Sequence, residues 1–285
     1  MLVKCSKDEI DQYLDFMYGL ALDLAKSGYP TYCDGIKDKA AFVQRLYRAF
    51  EREDEEVLLF VRDEEVQGLI LYYWIPEDRY LQTSVFCTNV GTRVALKEFV
   101  GFLKPRFRGY ELFMGFPAEN KEAVGYLSEH GFECIEDDYN NTAFLDRCDY
   151  GPTGEGIVQV SRDNYATFRT IHDQVEGDMY WDSDHIFEKL DDWLLLVKEE
   201  DGCPKGVAYY RTFDNEHYEL FGIDADGNAY DPKLFRELLT AVVLDCKKRG
   251  GKALTFFSEK EYEESVIACG FTCIGNYLCY KICLE

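Results

Sequence analysis

Apolar residues in this chain form short runs separated by charged turns, and the same order of runs occurs twice. In the first half, apolar runs at 57–61 and 69–74 are joined by a polar stretch. In the second half, the runs at 193–197 and 207–210 are joined by a longer polar stretch. Apolar runs on both sides of a turn are typical of β-hairpins. The sequence therefore predicts one hairpin in each half.

A strand, a helix, a second strand and a short helix follow each predicted hairpin. We expect the strands at 81–87 and 110–114 in the first half and at 218–223 and 253–257 in the second. The helix between them has apolar residues three or four positions apart, as in a helix that packs on a sheet. In the second half, Asp231 fits the N-cap position of that helix.

Upstream of each hairpin, the pattern predicts a short strand and helical segments. The strand at 2–5 is followed by helices at 7–25 and 39–53 in the first half. The strand at 157–160 is followed by a helix at 162–175 in the second half. The order of elements is therefore similar in the two halves.

Each half also ends with a similar pentapeptide. Gly-Phe-Glu-Cys-Ile begins at Gly131, and Gly-Phe-Thr-Cys-Ile begins at Gly270, 139 residues later. Such self-similarity indicates an internal repeat, and Gly-Pro-Thr-Gly at 151–154 is typical of a linker. We expect an α/β protein with mixed sheets, made of two consecutive domains at 1–150 and 151–285.

The composition and net charge limit the kinds of binding partner that we expect. The 285 residues include 47% hydrophobic residues and carry a formal net charge of -23. This charge disfavours nucleic acid and anionic membranes, which bind clustered cations, and it suits either a cationic partner or simple solubility. The first ten residues lack a basic region followed by an apolar run, and no stretch of about 18 apolar residues occurs. We therefore expect a cytoplasmic protein.

The cysteines and histidines give little sign of a metal site. The eleven cysteines lack C-x-x-C spacing, and most of them lie in apolar segments. Such cysteines are typical of small buried side chains in a reducing compartment. The four histidines are dispersed along the chain. We therefore expect no metal.

The order of elements in both halves resembles that of the GNAT superfamily of N-acetyltransferases. The sharpest match is Asn120-Lys121-Glu122-Ala123 followed by Gly131-Phe132, which resembles the Asn-x-x-Ala…Gly-Phe helix of this family. An ordinary amphipathic helix that ends at a glycine has the same pattern. The resemblance implies that acetyl-CoA lies in a V-shaped opening between two central strands, with its pyrophosphate at the start of the main helix.

The resemblance also indicates candidate cofactor residues, although neither half has the Gly-x-Gly loop of the family. The second-half loop carries three aspartates, so only Lys233 and Arg236 offer positive charge to a phosphate there. The first-half loop is the better phosphate candidate, and a capped helix start without a ligand has the same composition. The candidates in the first half are Asn89, Val90, Gly91, Thr92, Arg93 and Asn120.

Catalytic candidates also follow from the resemblance. Glu219 lies in the strand where several members of the family carry a glutamate that acts as general base, and an ordinary salt-bridged glutamate remains an alternative. The tyrosine that often acts as general acid would fall at Leu127 or near Val266, which cannot donate a proton. Tyr277 is our candidate replacement, and the other tyrosines near these positions are Tyr126 and Tyr139.

The segment 178–184 falls where the family binds its acceptor. Tyr180, Trp181 and Asp182 combine aromatic faces with a carboxylate, a composition that suits an amine cation. The first-half counterpart at 28–34 is less acidic. Either segment is equally compatible with an aromatic anchor that closes its domain.

These features lead to two functional hypotheses. The first is an acetyl-CoA-dependent N-acetyltransferase that acetylates a small amine by direct attack of the amine on the thioester, and a cationic amine suits the acidic composition. The alternative is a catalytically degenerate protein with this fold that binds a small ligand or another protein. A third arrangement divides the tasks, with one half binding the cofactor and the other supporting a homodimer or an interface.

Overall fold

The computed structural model describes residues 1–28, 36–148, 154–175, 177, 179–212 and 216–285. The chain divides into two compact units: unit 1 comprises Met1–Asp138 and Ile274–Glu285, and unit 2 comprises Tyr139–Cys273. Each unit is a mixed sheet with helices packed on both faces, which confirms the predicted α/β fold class. Of the predicted linker at 151–154, residues 151–153 lie outside the described residues.

The first part of the chain forms the elements of unit 1. In chain order they are β1 (Leu2–Lys4), α1 (Lys7–Ile10), α2 (Leu14–Ala21), β2 (Ser27–Gly28), α3 (Lys39–Ala49), β3 (Glu55–Arg62), β4 (Glu65–Ile75), β5 (Tyr80–Thr88), α4 (Thr92–Leu103), β6 (Glu111–Pro117), α5 (Lys121–Glu129) and β7 (Glu133–Phe144). The helix predicted at 7–25 is shorter and is interrupted by a 3₁₀ turn at Asp11–Tyr13. The predicted hairpin is present as β3 and β4.

The second part of the chain repeats this order. Its elements are β8 (Ile157–Gln159), α6 (Tyr165–His172), α7 (Ser183–Glu188), β9 (Leu194–Glu200), β10 (Cys203–Thr212), β11 (His217–Ala225), α8 (Pro232–Lys248), β12 (Ala253–Ser258), α9 (Glu263–Ala268) and β13 (Thr272–Cys283). The predicted hairpin is present as β9 and β10. The helix predicted at 162–175 begins as a 3₁₀ turn at Arg162–Asn164 and continues as α6.

The strands of the two units follow the same order. It is β1-β3-β4-β5-β6-β13 in unit 1 and β8-β9-β10-β11-β12-β7 in unit 2. In each sheet one central pair is parallel, β5 with β6 and β11 with β12. The shared order confirms that the chain repeats one fold.

The last strand of each repeat pairs with a strand of the other repeat. β7 starts in unit 1, and its residues 139–144 pair with β12 in unit 2. β13 starts in unit 2, and its residues 277–283 pair with β6 in unit 1. The compact units therefore differ from the repeats expected at 1–150 and 151–285 by one strand each.

Each sheet has an apolar core on both faces. In β4, Ile70 and Tyr72 pack in the core that contains α4, whereas Leu69 and Leu71 pack with α2 and α3. Burial on both faces explains why these strands are continuous apolar runs rather than alternating ones. In the described part of the chain, no helix is both long and apolar enough to span a bilayer.

The start of α8 agrees with the sequence prediction. The side chain of Asp231 accepts hydrogen bonds from the backbone N–H groups of Lys233 at 2.8 Å and Leu234 at 3.4 Å. We expect Asp231→Ala to lower the free energy of unfolding by about 1 kcal/mol, because these donors lose their acceptor. Asp231→Asn should stay close to wild type, since asparagine also caps helices. Urea denaturation of both variants tests this, and equal losses would contradict the capping role.

Candidate functional site

A pair of parallel strands separates along its length in each unit. β5 and β6 pair only at residues 80–82 and 111–113, although β5 continues to Thr88. β11 and β12 pair only at 217–220 and 253–256, although β11 continues to Ala225. We call the two openings the unit 1 wedge and the unit 2 wedge.

A β-bulge in the longer strand accompanies each wedge. In unit 1, Leu71 lies opposite Val85 and Tyr72 lies opposite Thr83, which leaves Ser84 as the extra residue. In unit 2, the same shift between β10 and β11 leaves Phe221 as the extra residue. A bulge bends its strand. It therefore gives a local reason for β5 and β11 to turn away from their parallel neighbours.

The unit 1 wedge contains a strand of the chain itself. Ser27 and Gly28 form β2, which pairs with Cys87 and Phe86 of β5. β4 occupies the other edge of β5 at the same residues, so β2 lies on the edge that faces β6.

Two hydrogen bonds and a close contact fix β2 in this wedge. Thr88 N donates to Lys26 O at 3.0 Å, and Asn120 Nδ2 donates to Ser27 O at 3.0 Å. A Cβ atom on Gly28 would lie 2.8 Å from a ring carbon of Phe116, so only glycine fits without a shift. The candidate Asn120 is fully buried, and its Oδ1 also caps α5. The amide of Asn120 therefore serves the fold of unit 1.

The other cofactor candidates in unit 1 lie together at the start of α4, as their sequence order predicts. Val90 is 47% exposed, and Gly91 has the left-handed φ of 72°. The Thr92 hydroxyl is hydrogen bonded to Thr88 at 2.6 Å. Of the five candidates, Gly91 therefore forms a backbone turn and Val90 is an exposed apolar side chain.

The remaining polar candidates at α4 also bind groups of unit 1. The Asn89 side chain accepts from Lys26 Nζ and donates to Gln67 Oε1, both at 3.3 Å. Arg93 makes a two-pronged ion pair with Glu129, with N–O distances of 2.7 and 2.8 Å. A phosphate at α4 would have to compete with these contacts.

The unit 2 wedge differs from that of unit 1. Among the described residues, only β10 and β12 pair with β11, and β12 stops pairing at Leu220. The Tyr209 ring covers Gly222 at the start of the wedge. A Cβ atom on Gly222 would lie only 2.2 Å from the Tyr209 oxygen. Burial, with the nearby charge of Asp224, raises the pKa of Tyr209 well above its usual range. Tyr209 therefore stays a neutral phenol.

Glu219 lies at the base of the unit 2 wedge. It is two residues before the bulge at Phe221 and is 8% exposed. It lies opposite Arg211 on β10 and Thr255 on β12. Its neighbours Tyr218 and Leu220 pack under α8, so Glu219 projects from the opposite face of the sheet. A carboxylate in this position can accept a proton from a group that approaches the wedge on that face.

Each aspartate of the loop before α8 has a partner in unit 2. Asp224 lies 2.7 Å from His172 Nδ1, and Asp226 accepts from Gln174 Nε2 at 3.3 Å. Asp231 caps α8. The composition of the loop predicts that its aspartates repel a phosphate. These contacts reduce that repulsion, because each carboxylate accepts a hydrogen bond that offsets part of its negative charge.

The cofactor candidates of unit 2 lie on the outer face of α8. Lys233 and Arg236 line a shallow depression of about 370 Å³ with Gly154, Glu237 and Thr240. The Lys233 side chain is 81% exposed, and its Nζ lies 3.8 Å from Oε1 of Glu237. Arg236 Nε donates to Pro232 O at 2.9 Å. Both cations lie within the first turns of the helix, where an anion is favoured.

Solved structures of acetyltransferase-related proteins match this chain over its full length. A GCN5-related N-acetyltransferase from Sphaerobacter thermophilus matches with a TM-score of 0.64 and 12% identity, covering 100% of this chain and 96% of that one. A tandem GNAT protein from the clavulanic acid biosynthesis pathway matches with a TM-score of 0.58 and 12% identity, covering 100% and 98%. The chain has a tandem GNAT fold.

Further comparisons agree with this fold. An acetyltransferase-like structure from Pyrococcus horikoshii matches with a TM-score of 0.54 and 10% identity, covering 100% of this chain and 89% of that one. No protein-family model matches the chain, and no curated protein matches its sequence. The likeness is therefore one of fold at low sequence identity.

Within this tandem GNAT fold, the two catalytic candidates belong to different units. Tyr277 of β13 lies opposite Pro117 in unit 1, and its ring covers Gly115. Glu219 belongs to unit 2. Because the last strands are exchanged, the tyrosine at the start of the segment that completes the unit 2 sheet is Tyr139, which lies opposite Ser258 at the end of β12, one register position from the equivalent of Tyr277.

The other positions weighed for a general acid are parts of the core or are stacked. Leu127 and Val266 are fully buried. Tyr126 stacks on His130 with ring centres 4.0 Å apart, and the Arg93 guanidinium lies 6.0 Å from the Tyr126 ring centre. Burial raises the pKa of Tyr126.

The acceptor candidates of unit 2 make contacts within their own unit. The Trp181 ring has Lys189 Nζ at 5.3 Å and the Arg211 guanidinium at 5.6 Å from its centre. Tyr180 stacks on His185 at 5.0 Å. Cationic side chains of this chain therefore already contact the Trp181 ring, which the sequence suggested as a binding face for the acceptor amine.

The third acceptor candidate has a structural contact as well. Asp182 caps the six-residue helix α7 through the backbone N–H of His185 at 2.8 Å. In the first-half counterpart at 28–34, only Gly28 lies within the described residues, and Asp178 of the second-half segment lies outside them.

One buried pair was missed by sequence reasoning. His172 is fully buried, with Nδ1 2.7 Å from Asp224 and Nε2 3.1 Å from the Trp181 carbonyl oxygen. Burial raises the pKa of Asp224, and the hydrogen bond to His172 opposes that rise. The pair joins α6 to the wedge part of β11 across 52 positions, so no local motif could reveal it.

The described residues contain no group of three or more histidine, cysteine or acidic side chains arranged to hold a metal ion. Six of the described cysteines are buried, in accord with their apolar sequence context. They are Cys5, Cys87, Cys148, Cys246, Cys269 and Cys279.

Proposed function

We propose that this chain is an acetyl-CoA-dependent N-acetyltransferase and that its reaction takes place in unit 2. The observation that carries the proposal is the difference between the two wedges. The unit 1 wedge contains β2, whereas no described strand pairs with the wedge edge of β11 in unit 2. The tandem GNAT fold supports the reaction class.

The proposed reaction is a direct transfer. The nitrogen of the acceptor amine attacks the carbonyl carbon of the thioester, a C–N bond forms, and the C–S bond breaks. The CoA sulfur takes up a proton as it leaves. Glu219 accepts a proton from the acceptor ammonium, which frees the lone pair for attack. Its position at the base of the wedge, on the face opposite α8, suits this role.

The phosphates of the cofactor would lie at the start of α8. The backbone N–H groups of a helix start attract anions, and Lys233 and Arg236 add positive charge there. The partners of Asp224, Asp226 and Asp231 reduce the opposing charge. Tyr139 is the proton donor that the strand exchange favours for the leaving thiolate, in place of the original candidate Tyr277.

Calorimetric titration with acetyl-CoA tests where the cofactor binds. We expect one molecule per chain. Lys233→Ala combined with Arg236→Ala should raise the Kd about fivefold to thirtyfold, because each exposed charge contact contributes up to about 1 kcal/mol. Asn89→Ala and Arg93→Ala are the matched unit 1 variants and should leave the Kd unchanged. The reverse pattern would place the cofactor in unit 1, with the residues first chosen from the sequence.

A specific observation favours the second candidate function, a degenerate binding protein. The polar groups at α4 bind unit 1 itself, and the loop before α8 lacks the paired glycines of the family. If millimolar acetyl-CoA gives neither heat nor a thermal shift, the enzyme proposal is wrong and this second function is favoured.

The acceptor that fits this proposal is a small amine. The net charge of -23 supports a cationic one, because a negative surface attracts cations. We place the reaction in the cytoplasm, where acetyl-CoA is available, and the homodimer remains a prediction.

A further inference from the structure

A row of polar side chains crosses the unit 2 sheet on the face opposite α8. Arg211 on β10 lies opposite Glu219 on β11, and Glu219 lies opposite Thr255 on β12. Thr255 in turn lies opposite Thr142 on β7. Residues that lie opposite each other project from the same face. The proposed base thus shares its sheet face with hydroxyl groups of two further strands.

Two side chains on this face are buried without a hydrogen-bond partner among the described residues. Asn140 is 1% exposed and neither Nδ2 nor Oδ1 has a partner, and Thr142 is fully buried with an unpartnered Oγ1. The neighbouring Asn141 projects from the other face, where its Nδ2 donates to Phe256 O at 3.3 Å and Ser258 Oγ at 3.1 Å. Buried polar groups are nearly always bonded, because an unmade bond is costly. A ligand that bonds to Asn140 and Thr142 would remove this cost.

These groups lie at the level where the unit 2 wedge begins. Asn140 is opposite Phe257, one residue beyond the last β11–β12 pair, Leu220 with Phe256. Neighbouring strands are about 4.8 Å apart, so Thr142 and Glu219 are separated by about 10 Å across two strands. A small molecule with polar groups at both ends can span this distance between the side chains.

We propose that Asn140 and Thr142 bind the acceptor, and that this acceptor is an amine that also carries an amide group. The inference rests on the proposed function, which makes Glu219 the partner of the ammonium end. A carboxamide presents a donor and an acceptor side by side, so another amide is its complement. A carboxylate would leave Oδ1 of Asn140 without a donor. The side chains thus select an amino-acid amide or peptide amide over the free acid.

Three probes with the same three-carbon chain test this selectivity on the full chain by calorimetry. They are β-alaninamide, β-alanine and propylamine, which share an amine and differ in the group at the other end. We expect β-alaninamide to bind about tenfold tighter than the other two, because only it meets both polar ends of the site. Asn140→Leu should remove this tenfold preference, and Thr142→Val should reduce it by about threefold.

The adjacent asparagines provide a matched control for folding. Asn140→Leu and Thr142→Val should leave the Tm of the free chain equal or higher, because they remove groups that have no partner. Asn141→Leu should lower the Tm by about 2–4 °C, because its hydrogen bonds are lost. A structural role for Asn140 would instead make the two leucine variants fall together.

The proposal is overturned if β-alaninamide binds no tighter than propylamine, if Asn140→Leu leaves the preference intact, or if Asn140→Leu lowers the Tm as Asn141→Leu does. None of these probe experiments uses acetyl-CoA. Loss of the proposed function would be seen separately, as an absence of acetyl-CoA binding while the preference for the amide that depends on Asn140 persists.

Discussion

Exchanging Glu219 for glutamine is expected to lower kcat for acetyl transfer by about 100-fold or more, the usual contribution of a general base. Glutamine keeps the shape of the side chain and cannot accept the proton of the acceptor ammonium. The Kd for acetyl-CoA should stay the same, because the carboxylate acts on the acceptor. Release of the CoA thiol with an amine substrate measures kcat, and calorimetry measures the Kd.

The pH dependence separates this role from a structural one. The rate of Glu219→Gln should rise as the pH approaches the pKa of the acceptor amine, because free amine then forms without the base. Glu200→Gln on the exposed end of β9 is the matched control and should behave as wild type. If Glu219→Gln has wild-type kcat, Glu219 is not the base. If the variant loses acetyl-CoA binding, the residue supports the fold or the cofactor instead.

A side chain at Gly28 is expected to destabilise unit 1 by about 1–3 kcal/mol, the usual cost of overpacking. In Gly28→Val, the new Cβ atom would lie 2.8 Å from the Phe116 ring and 3.0 Å from Gly115 O. The backbone oxygen cannot move without disturbing β6. Urea denaturation measures the change, and calorimetry should show an unchanged Kd for acetyl-CoA.

Gly19→Ala in α2 is the control for this substitution. A Cβ atom there meets nothing within 4 Å, so alanine should stabilise the helix by up to about 1 kcal/mol. Wild-type stability of Gly28→Val would show that β2 does not fill the unit 1 wedge. Loss of acetyl-CoA binding in a folded Gly28→Val chain would instead place the cofactor in unit 1.

Local patterns in the sequence predict most of the elements. The runs at 57–61 and 193–197 become β3 and β9, and Asp231 caps α8 as expected. The Asn120 motif begins α5, an amphipathic helix that ends before Gly131, as in the alternative that the sequence left open. These predictions succeed because each depends on residues within a few positions of one another.

The features that distinguish the two wedges depend on distant residues. β2 has two residues, too few for any periodicity, and its place is set by Thr88 and Asn120 far along the chain. The pair His172 and Asp224 spans 52 positions. Residue type alone therefore pointed to α4 as the better phosphate site, whereas the contacts show its donors already engaged with unit 1.

The sequence pattern also could not predict the exchange of the last strands between the two units. The pentapeptides at Gly131 and Gly270 precede β7 and β13 in the same way, so the local sequence does not say in which sheet each strand ends. The choice of a tyrosine for the proposed site changes with it, from Tyr277 to Tyr139.

This exchange also sets the order in which the chain can fold during its synthesis. The edge of β6 that pairs with residues 277–283 has no partner until those residues have left the ribosome. Unpaired strand edges promote aggregation. Unit 2 has all of its strands once β12 is made, so it can complete its sheet first. A nascent chain stopped before β13 should therefore expose the open edge of β6 in unit 1, while β7 to β12 of unit 2 are already present.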